Sequence, residues 1–163
     1  MKAVKLIAAL AILTVAALAI RRYCYVPVRC SVIAAEIDRR TERLLKGPSY
    51  ALEAGARANL ARLQPCIDAV PWNVVYRDLA AANHKIREDH ANVRAEYEAA
   101  LRYDRRPELH VRLGLALLAL GETEAAEKQL YTGGVVWPDS LLRLPQPLQD
   151  ELLNRVYVAR QGY

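Results

Sequence analysis

The chain has 163 residues, enough for one ordinary domain and too few for two. With 53% hydrophobic and 25% charged residues it can bury a core, which excludes intrinsic disorder. Three cysteines make no disulfide scaffold and match no zinc spacing, and seven glycines with few β-branched runs argue against an all-β sandwich.

The net charge of +5 comes from 23 Lys+Arg against 18 Asp+Glu; setting Lys2 and Lys5 aside as part of a targeting segment leaves 21 against 18, or +3. Only five basic residues are lysine, and this Arg- and Ala-rich, Phe-free composition is what a high-GC bacterial genome tends to encode. A nucleic-acid-binding protein gathers its charge on one face or in runs. Here the arginines are interleaved with acids, as at residues 36–43, so no nucleic-acid partner is expected.

Lys2 and Lys5 give a short basic start, and residues 6–20 form an uninterrupted run of fifteen apolar or small residues. Such a run fits a secretory signal peptide cut after Ala19, and it also fits a membrane anchor. Fifteen helical residues span about 22 Å, short of a hydrocarbon core of roughly 30 Å. Extension to Ala3, with Lys5 and Arg21 snorkelling, closes the gap. Arg21 and Arg22 would come directly after the cut, where positive charge hinders export, and Tyr23 and Tyr25 fall at the depth of an aromatic belt. The uncleaved anchor is therefore preferred, with the cleaved signal as the alternative. Charges on the two flanks nearly balance; a periplasmic body is expected because chains with this start mostly deliver their remainder outside the inner membrane. Cys24 and Cys30 lie six apart after this run, and Cys66 falls in a later helix. Unpaired thiols are expected, with Cys66 a small buried apolar residue; a Cys24–Cys30 bridge around Pro27 is the alternative in an oxidising compartment.

From residue 31 the pattern is helical throughout. Val32, Ile33, Ile37, Thr41, Leu44 and Leu45 recur at three- and four-residue spacings until Gly47-Pro48. Ser49 is a candidate N-cap for a helix carrying Leu52, Leu60 and Leu63, which Pro65 bends or ends. Asn73 caps a helix over 74–87, Asp89 one over 90–103, and Pro107 opens one running to Leu120. After Gly121 a helix from Glu122 ends near Tyr131, and Leu148, Leu152, Leu153 and Val156 mark a last amphipathic helix over 148–160. The body is thus all-α, built of short antiparallel helices.

An internal repeat refines this. From Leu113-Gly114, Leu117 follows the glycine by three residues, Gly121 by seven, Ala126 by twelve, Leu130 by sixteen and Pro138 by twenty-four. The order resembles the tetratricopeptide repeat (TPR), a helix–turn–helix unit of 34 residues. In that family small residues let helices A and B approach and a proline ends the unit; Gly114, Ala126 and Pro138 hold those positions at 107–140. A less faithful copy at 74–106 has Ala81 as its small residue and Tyr97, Ala100 and Leu101 in helix B, with Asp89 standing 33 before Glu122. Residues 49–71 resemble a half-repeat, and 148–160 a C-terminal capping helix. The resemblance implies a short solenoid after an N-terminal membrane or signal helix: 1–22 anchor or signal, 23–48 membrane-proximal linker and helix, 49–163 TPR-like domain.

Proteins of this kind present a groove made by helix A side chains to a protein partner. The matching positions are Val75, Asp78, Ala82, Lys85 and Ile86 in the first repeat, and Glu108, Val111, Arg112, Leu115 and Leu118 in the second. Only Arg112 matches the basic residues of the family's carboxylate clamp, so the apolar strip implies either a seat for a partner helix or extended apolar segment, or a surface covered by the chain's own C-terminal helix 148–160. Trp72 and Trp137, beside Pro71 and Pro138, are expected in packing between repeats; an exposed one would be a candidate hot spot. His84, Glu88, Asp89 and His90 cluster without any metal motif, and His84 takes a packing position. No nucleophile elbow is present and Gly133-Gly134 is no phosphate loop. No enzyme activity, cofactor, metal or small-molecule substrate is expected. The resemblance implies a non-catalytic adaptor or assembly factor at the bacterial envelope, or, if the signal is cleaved, a soluble periplasmic chaperone or binding protein.

Overall fold

The computed structural model describes residues 2–161, all-helical with no strand among them. Helix α1 (Lys2–Ile20) continues through one wide turn at Arg21–Tyr25 into α2 (Val26–Leu45). The wide turn has a local cause. Pro27 lacks an N–H and its ring crowds the preceding turn, and there the Val26 N–H reaches back five residues to the Arg21 carbonyl. Helix α3 (Leu52–Ala69) follows a short 3-10 turn, then α4 (Val74–Ile86), α5 (His90–Leu101), α6 (Pro107–Ala119) and α7 (Thr123–Val136). A 3-10 segment, Pro138–Arg143, leads to α8 (Gln146–Gln161).

Several boundaries follow from local chemistry. The Asn73 side chain accepts from the Val75 N–H at 3.1 Å, Asp89 accepts from the Asn92 N–H at 3.3 Å, and Pro107 stands in the first turn of α6. Others differ from expectation. Ser49 makes no capping bond and opens the 3-10 turn instead. Pro65 lies inside α3 without ending it; it and Ala61, whose carbonyl it leaves unpaired, are both exposed, so water can serve the free acceptor. Helix α7 does not end near Tyr131 but runs to Val136, because Gly133 and Gly134 are packing positions: a Cβ on Gly133 would lie 2.8 Å from the Pro107 carbonyl oxygen, and one on Gly134 2.6 Å from Leu141.

Helices α2 to α7 pair antiparallel in succession, whereas α8 runs parallel to α7, with Arg155 beside Glu127 and Arg160 donating to the Val135 carbonyl. Leu44 meets Gly55, Glu36 meets Arg62 and Cys30 meets Cys66 across α2/α3. Arg77 meets Glu96 across α4/α5, and Gly114 and Val111 meet Leu130 and Gly133 across α6/α7. Within residues 23–48, expected as a membrane-proximal linker and helix, lie the end of the wide turn and α2, and α2 packs along α3. The cysteines pair otherwise than expected. Cys30 and Cys66, both buried, form a disulfide with Cα atoms 5.4 Å apart, and Cys24 is the free, exposed thiol. A separation of 36 residues hides this pairing until α2 and α3 lie side by side.

Three apolar clusters run through the body. One joins α2, α3 and α4 around Ile37, Leu63, Cys66 and Tyr76. The next joins α4 to α7 and contains Ala81, Tyr97, Ala100, Leu113, Leu117 and Ala126. The last gathers Val111, Leu130, Leu141, Leu152 and Val156, and so seats α8 and the 3-10 segment on α6/α7. Inside the first junction a polar trio is fully enclosed. The side-chain amides of Asn59 and Asn83 donate to the Thr41 hydroxyl at 3.3 and 3.1 Å, and Asn59 donates to the Asn83 side-chain Oδ1 at 3.0 Å. Buried amides that satisfy one another fix the register of three helices, since any slip strands them without partners.

Candidate interaction face

Helices α2, α4 and α6 run side by side in the same direction. Tyr76 on α4 donates to the Pro27 carbonyl and shares a hydrogen bond with Ser31, near the start of α2; Asn83, late in α4, meets Thr41, late in α2. Between α4 and α6 the alignment is set by Asp78 and Arg112, an ion pair 34 residues apart. The three helices form one face, on which the positions singled out from the sequence can be located.

Val75 and Leu115 are exposed, at 56% and 41%, and stand on either side of the Asp78–Arg112 pair. Ala82 and Glu108 are half-buried and Lys85 is exposed. Two positions leave the face. Val111 is 6% exposed and packs with Leu130, Leu152 and Val156, so it is core and not groove. Leu118 is half-buried between the second and third clusters. Helix α6 has this character because α5 covers one side and α7 with the C-terminal elements covers another, leaving only Arg112, Leu115 and Ala119 outward.

Two open clefts cross the face, of about 380 and 290 Å³. The first lies between α2 and α4 and is lined by Ala35, Asp38, Val75, Asp78 and Leu79 among others. The second lies between α4, α5 and α6, with Lys85, His90, Tyr97, Arg112 and Leu115. Sequence reasoning missed the contribution of α2; Ser31, Ala35 and Asp38 sit at helical spacing on one side of it, but that helix falls outside the predicted repeats.

The ridge between the clefts is electrostatically closed on itself. The Tyr97 hydroxyl donates to Asp78 at 3.2 Å, so one carboxylate serves both a phenol and a guanidinium from the two following helices. Burial, and then the Asp78 charge, push the Tyr97 hydroxyl up to about 12, so it stays a donor at any physiological pH. The hydrogen bond to Asp78 holds Arg112 protonated and raises its pKa further. Arg112, the one basic residue at a clamp position, is thereby committed within the chain. Val75 and Leu115 give this face exposed apolar surface, flanked by Asp38, Asp78 and Lys85.

The remaining sequence candidates divide between core and surface. Ala81, Tyr97, Ala100, Leu113, Gly114, Leu117, Ala126 and Leu130 are all buried where helices cross. Pro138, half-buried, opens the 3-10 segment after α7. Trp72 and Trp137 are not packed between helix pairs; they are 49% and 40% exposed. His84 lies half-buried with Nδ1 3.4 Å from Asp89. Among the described residues no group of three or more His, Cys, Asp or Glu is placed to hold a metal ion. Compared with known proteins, the chain matches no family model, no curated protein and no solved structure.

Proposed function

We propose that the protein is a non-catalytic adaptor or assembly factor of the bacterial cell envelope. In this reading α1 crosses the inner membrane, a TPR-like body stands in the periplasm, and the face of α2, α4 and α6 binds a helix or apolar segment of a partner protein. One observation carries it: a single helical run, Lys2–Leu45, has an apolar first half, exposed from Leu10 to Ile20, and a second half that is part of the body's core. Among the described residues one helix is long and apolar enough to cross a membrane, and it is this one. The nineteen residues of α1 rise about 28 Å, close to a hydrocarbon core. An anchor continuous with a core helix holds the binding face at a set distance from the bilayer, which suits assembly work at a membrane.

The compartment is supported by the buried Cys30–Cys66 disulfide, a pairing that persists in oxidising surroundings and not in the cytosol. The solenoid reading is supported by equivalences 33 residues apart: Ala81 with Gly114, Tyr97 with Leu130, Ala100 with Gly133, all buried. Both helices α4 and α6 also end in the same left-handed cap, at Glu88 and Gly121.

The test is an alkaline-phosphatase fusion after Tyr163 in cells, with thiol trapping and a blot of membrane and soluble fractions. The expected result is high activity, a full-length membrane-bound chain, and Cys30 and Cys66 protected from alkylation until reduced. An inactive but well-expressed fusion overturns the periplasmic placement. A shortened, soluble chain overturns the anchor and favours the signal-cleaved chaperone.

A further inference from the structure

The parallel run of α2, α4 and α6 gives the body two unlike ends. At the end where α1 joins α2 lie Arg21–Tyr25 and three connections. Residues 70–73 are placed there by Tyr76 on the Pro27 carbonyl and by the Cys30–Cys66 bridge. Residues 102–106 precede α6, whose start is aligned with that of α4 by Asp78 and Arg112. Residues 137–139 follow α7, whose Gly133 lies on the Pro107 carbonyl. Trp72, Tyr103 and Trp137 all fall here, each between 40% and 52% exposed, with Val136 at 65%. Five arginines face two aspartates in these segments: Arg21, Arg22, Arg102, Arg105 and Arg106 against Asp104 and Asp139. Asp104 is engaged by Arg106, while Arg102 and Arg105 stand exposed. The connections at the opposite end (46–48, 87–89, 120–122 and 143–145) hold no tryptophan, and three basic residues there are balanced by three acidic ones.

Half-exposed tryptophans and tyrosines beside unpaired arginines are the composition of a membrane–water interface. Their level agrees with that assignment. Helix α1 ends at Ile20, so the headgroup region begins at Arg21–Tyr25, and residues 70–73 lie within about one helical turn of it. We infer that the end of the body carrying Trp72, Tyr103 and Trp137 rests on the bilayer that α1 crosses, with Arg102 and Arg105 on anionic lipid phosphates. The inference rests on the anchor reading above. Its consequence is mechanical: the body stands on this end rather than swinging from its anchor, and the face of α2, α4 and α6 is turned sideways, along the membrane surface.

The chain has two tryptophans and neither lies in α1, so intrinsic emission reports the body alone. The full chain is placed in nanodiscs of phosphatidylcholine with phosphatidylglycerol, assembled with a tryptophan-free scaffold protein, with and without a headgroup nitroxide lipid. The nitroxide is expected to remove most of the tryptophan emission, in the parent and in each of W72F and W137F. The charge-reversal pair R102E/R105E is expected to recover emission severalfold, and phosphatidylcholine alone to quench less than the anionic mixture. A chain that co-elutes with the discs while both tryptophans stay unquenched and open to acrylamide overturns this inference and leaves the anchor standing. A chain that never enters the discs overturns the anchor and this inference together.

Discussion

The pair α2/α3 and the pair α6/α7 solve the same packing problem with different chemistry. At α2/α3 the ties are specific and polar: the Cys30–Cys66 disulfide, a two-pronged Arg62–Glu36 ion pair, and the enclosed Thr41, Asn59 and Asn83. At α6/α7 they are steric: two glycines let backbones approach, and large apolar side chains fill the remaining space. The difference follows position. Helix α2 is the continuation of an exposed apolar helix and has the body on one side only, so it lacks area to bury and is held by bonds. Helix α6 is covered on several sides and is held by burial, which is proportional to area.

Removing the covalent tie should break the comparison hardest. Closing a loop of 36 residues stabilises by up to about 4 kcal/mol in the chain-entropy account, with about 2 as a lower expectation. The variant C30A/C66A is expected to lose that amount in denaturant unfolding, and reductant should lower the parent's Tm but not the variant's. In the unfolded, unreduced parent one thiol, Cys24, should titrate, and three after reduction. A parent with three free thiols would sink the α2/α3 side of the argument.

The steric side is tested at Gly114. A Cβ there would lie 2.6 Å from Leu130 Cγ and 3.2 Å from the Ala126 backbone oxygen, so part of the clash cannot be relieved by rotating a side chain. Gly114→Leu is expected to cost on the order of 1–3 kcal/mol by overpacking, read as a drop in the unfolding midpoint. Gly121→Ala differs in kind, since open space surrounds that position and its strain comes from φ alone. A Gly114→Leu variant as stable as the parent would mean that the helices do not approach as described.

A smaller effect of opposite sign separates α4/α5 from α6/α7. Glu88 adopts φ of 56° where its counterpart Gly121 has 77°, and both share one capping pattern: Asp89 N–H to the His84 carbonyl, Glu122 N–H to the Leu117 carbonyl. The left-handed conformation is strained for an L-residue with a side chain and unstrained for glycine. Glu88→Gly should therefore raise stability, by roughly 1 kcal/mol, measured by equilibrium unfolding. A loss of similar size would show that the Glu88 side chain contributes more than its backbone costs.

How much of this fold is legible in the sequence depends on whether the cause is local. Asn73, Asp89, Pro107 and Gly121 act within a turn or two of themselves, and the helix boundaries they imply are the ones observed. The spacing of Gly114 and Ala126, and of Ala81 thirty-three residues before Gly114, can be read from the sequence, and all three are buried in the structure. The features that escape are long-range or context-dependent. Cys66 finds Cys30 only because α2 pairs with α3. Gly133 and Gly134 resemble a break until α6 and Leu141 are present to need the space. Val111 lies between two buried sides of α6, and a single-stripe picture of a helix puts it in the groove. Trp72 and Trp137 stand at the expected boundaries, but they face outward from them.

The smallest expected effect is the pH response of the ion pair between α2 and α3. Arg62 donates to both carboxylate oxygens of Glu36, and this hydrogen bonding, assisted by the charges of Arg40 and Arg62, holds the Glu36 carboxyl down to about 2. Because the folded value is depressed, the pair's contribution is complete above the ordinary glutamate range near 4.3 and is lost as the pH falls from there through about 2. Both side chains remain more than a third exposed, so water and salt screen the pair and the loss should be modest. Carboxyl-carbon NMR should find Glu36 titrating near 2, and Arg62→Ala should return it toward the ordinary range. A normal midpoint in the parent would mean that the pair is open in solution, and that the disulfide and the Thr41–Asn59–Asn83 trio hold α2 to α3 without it.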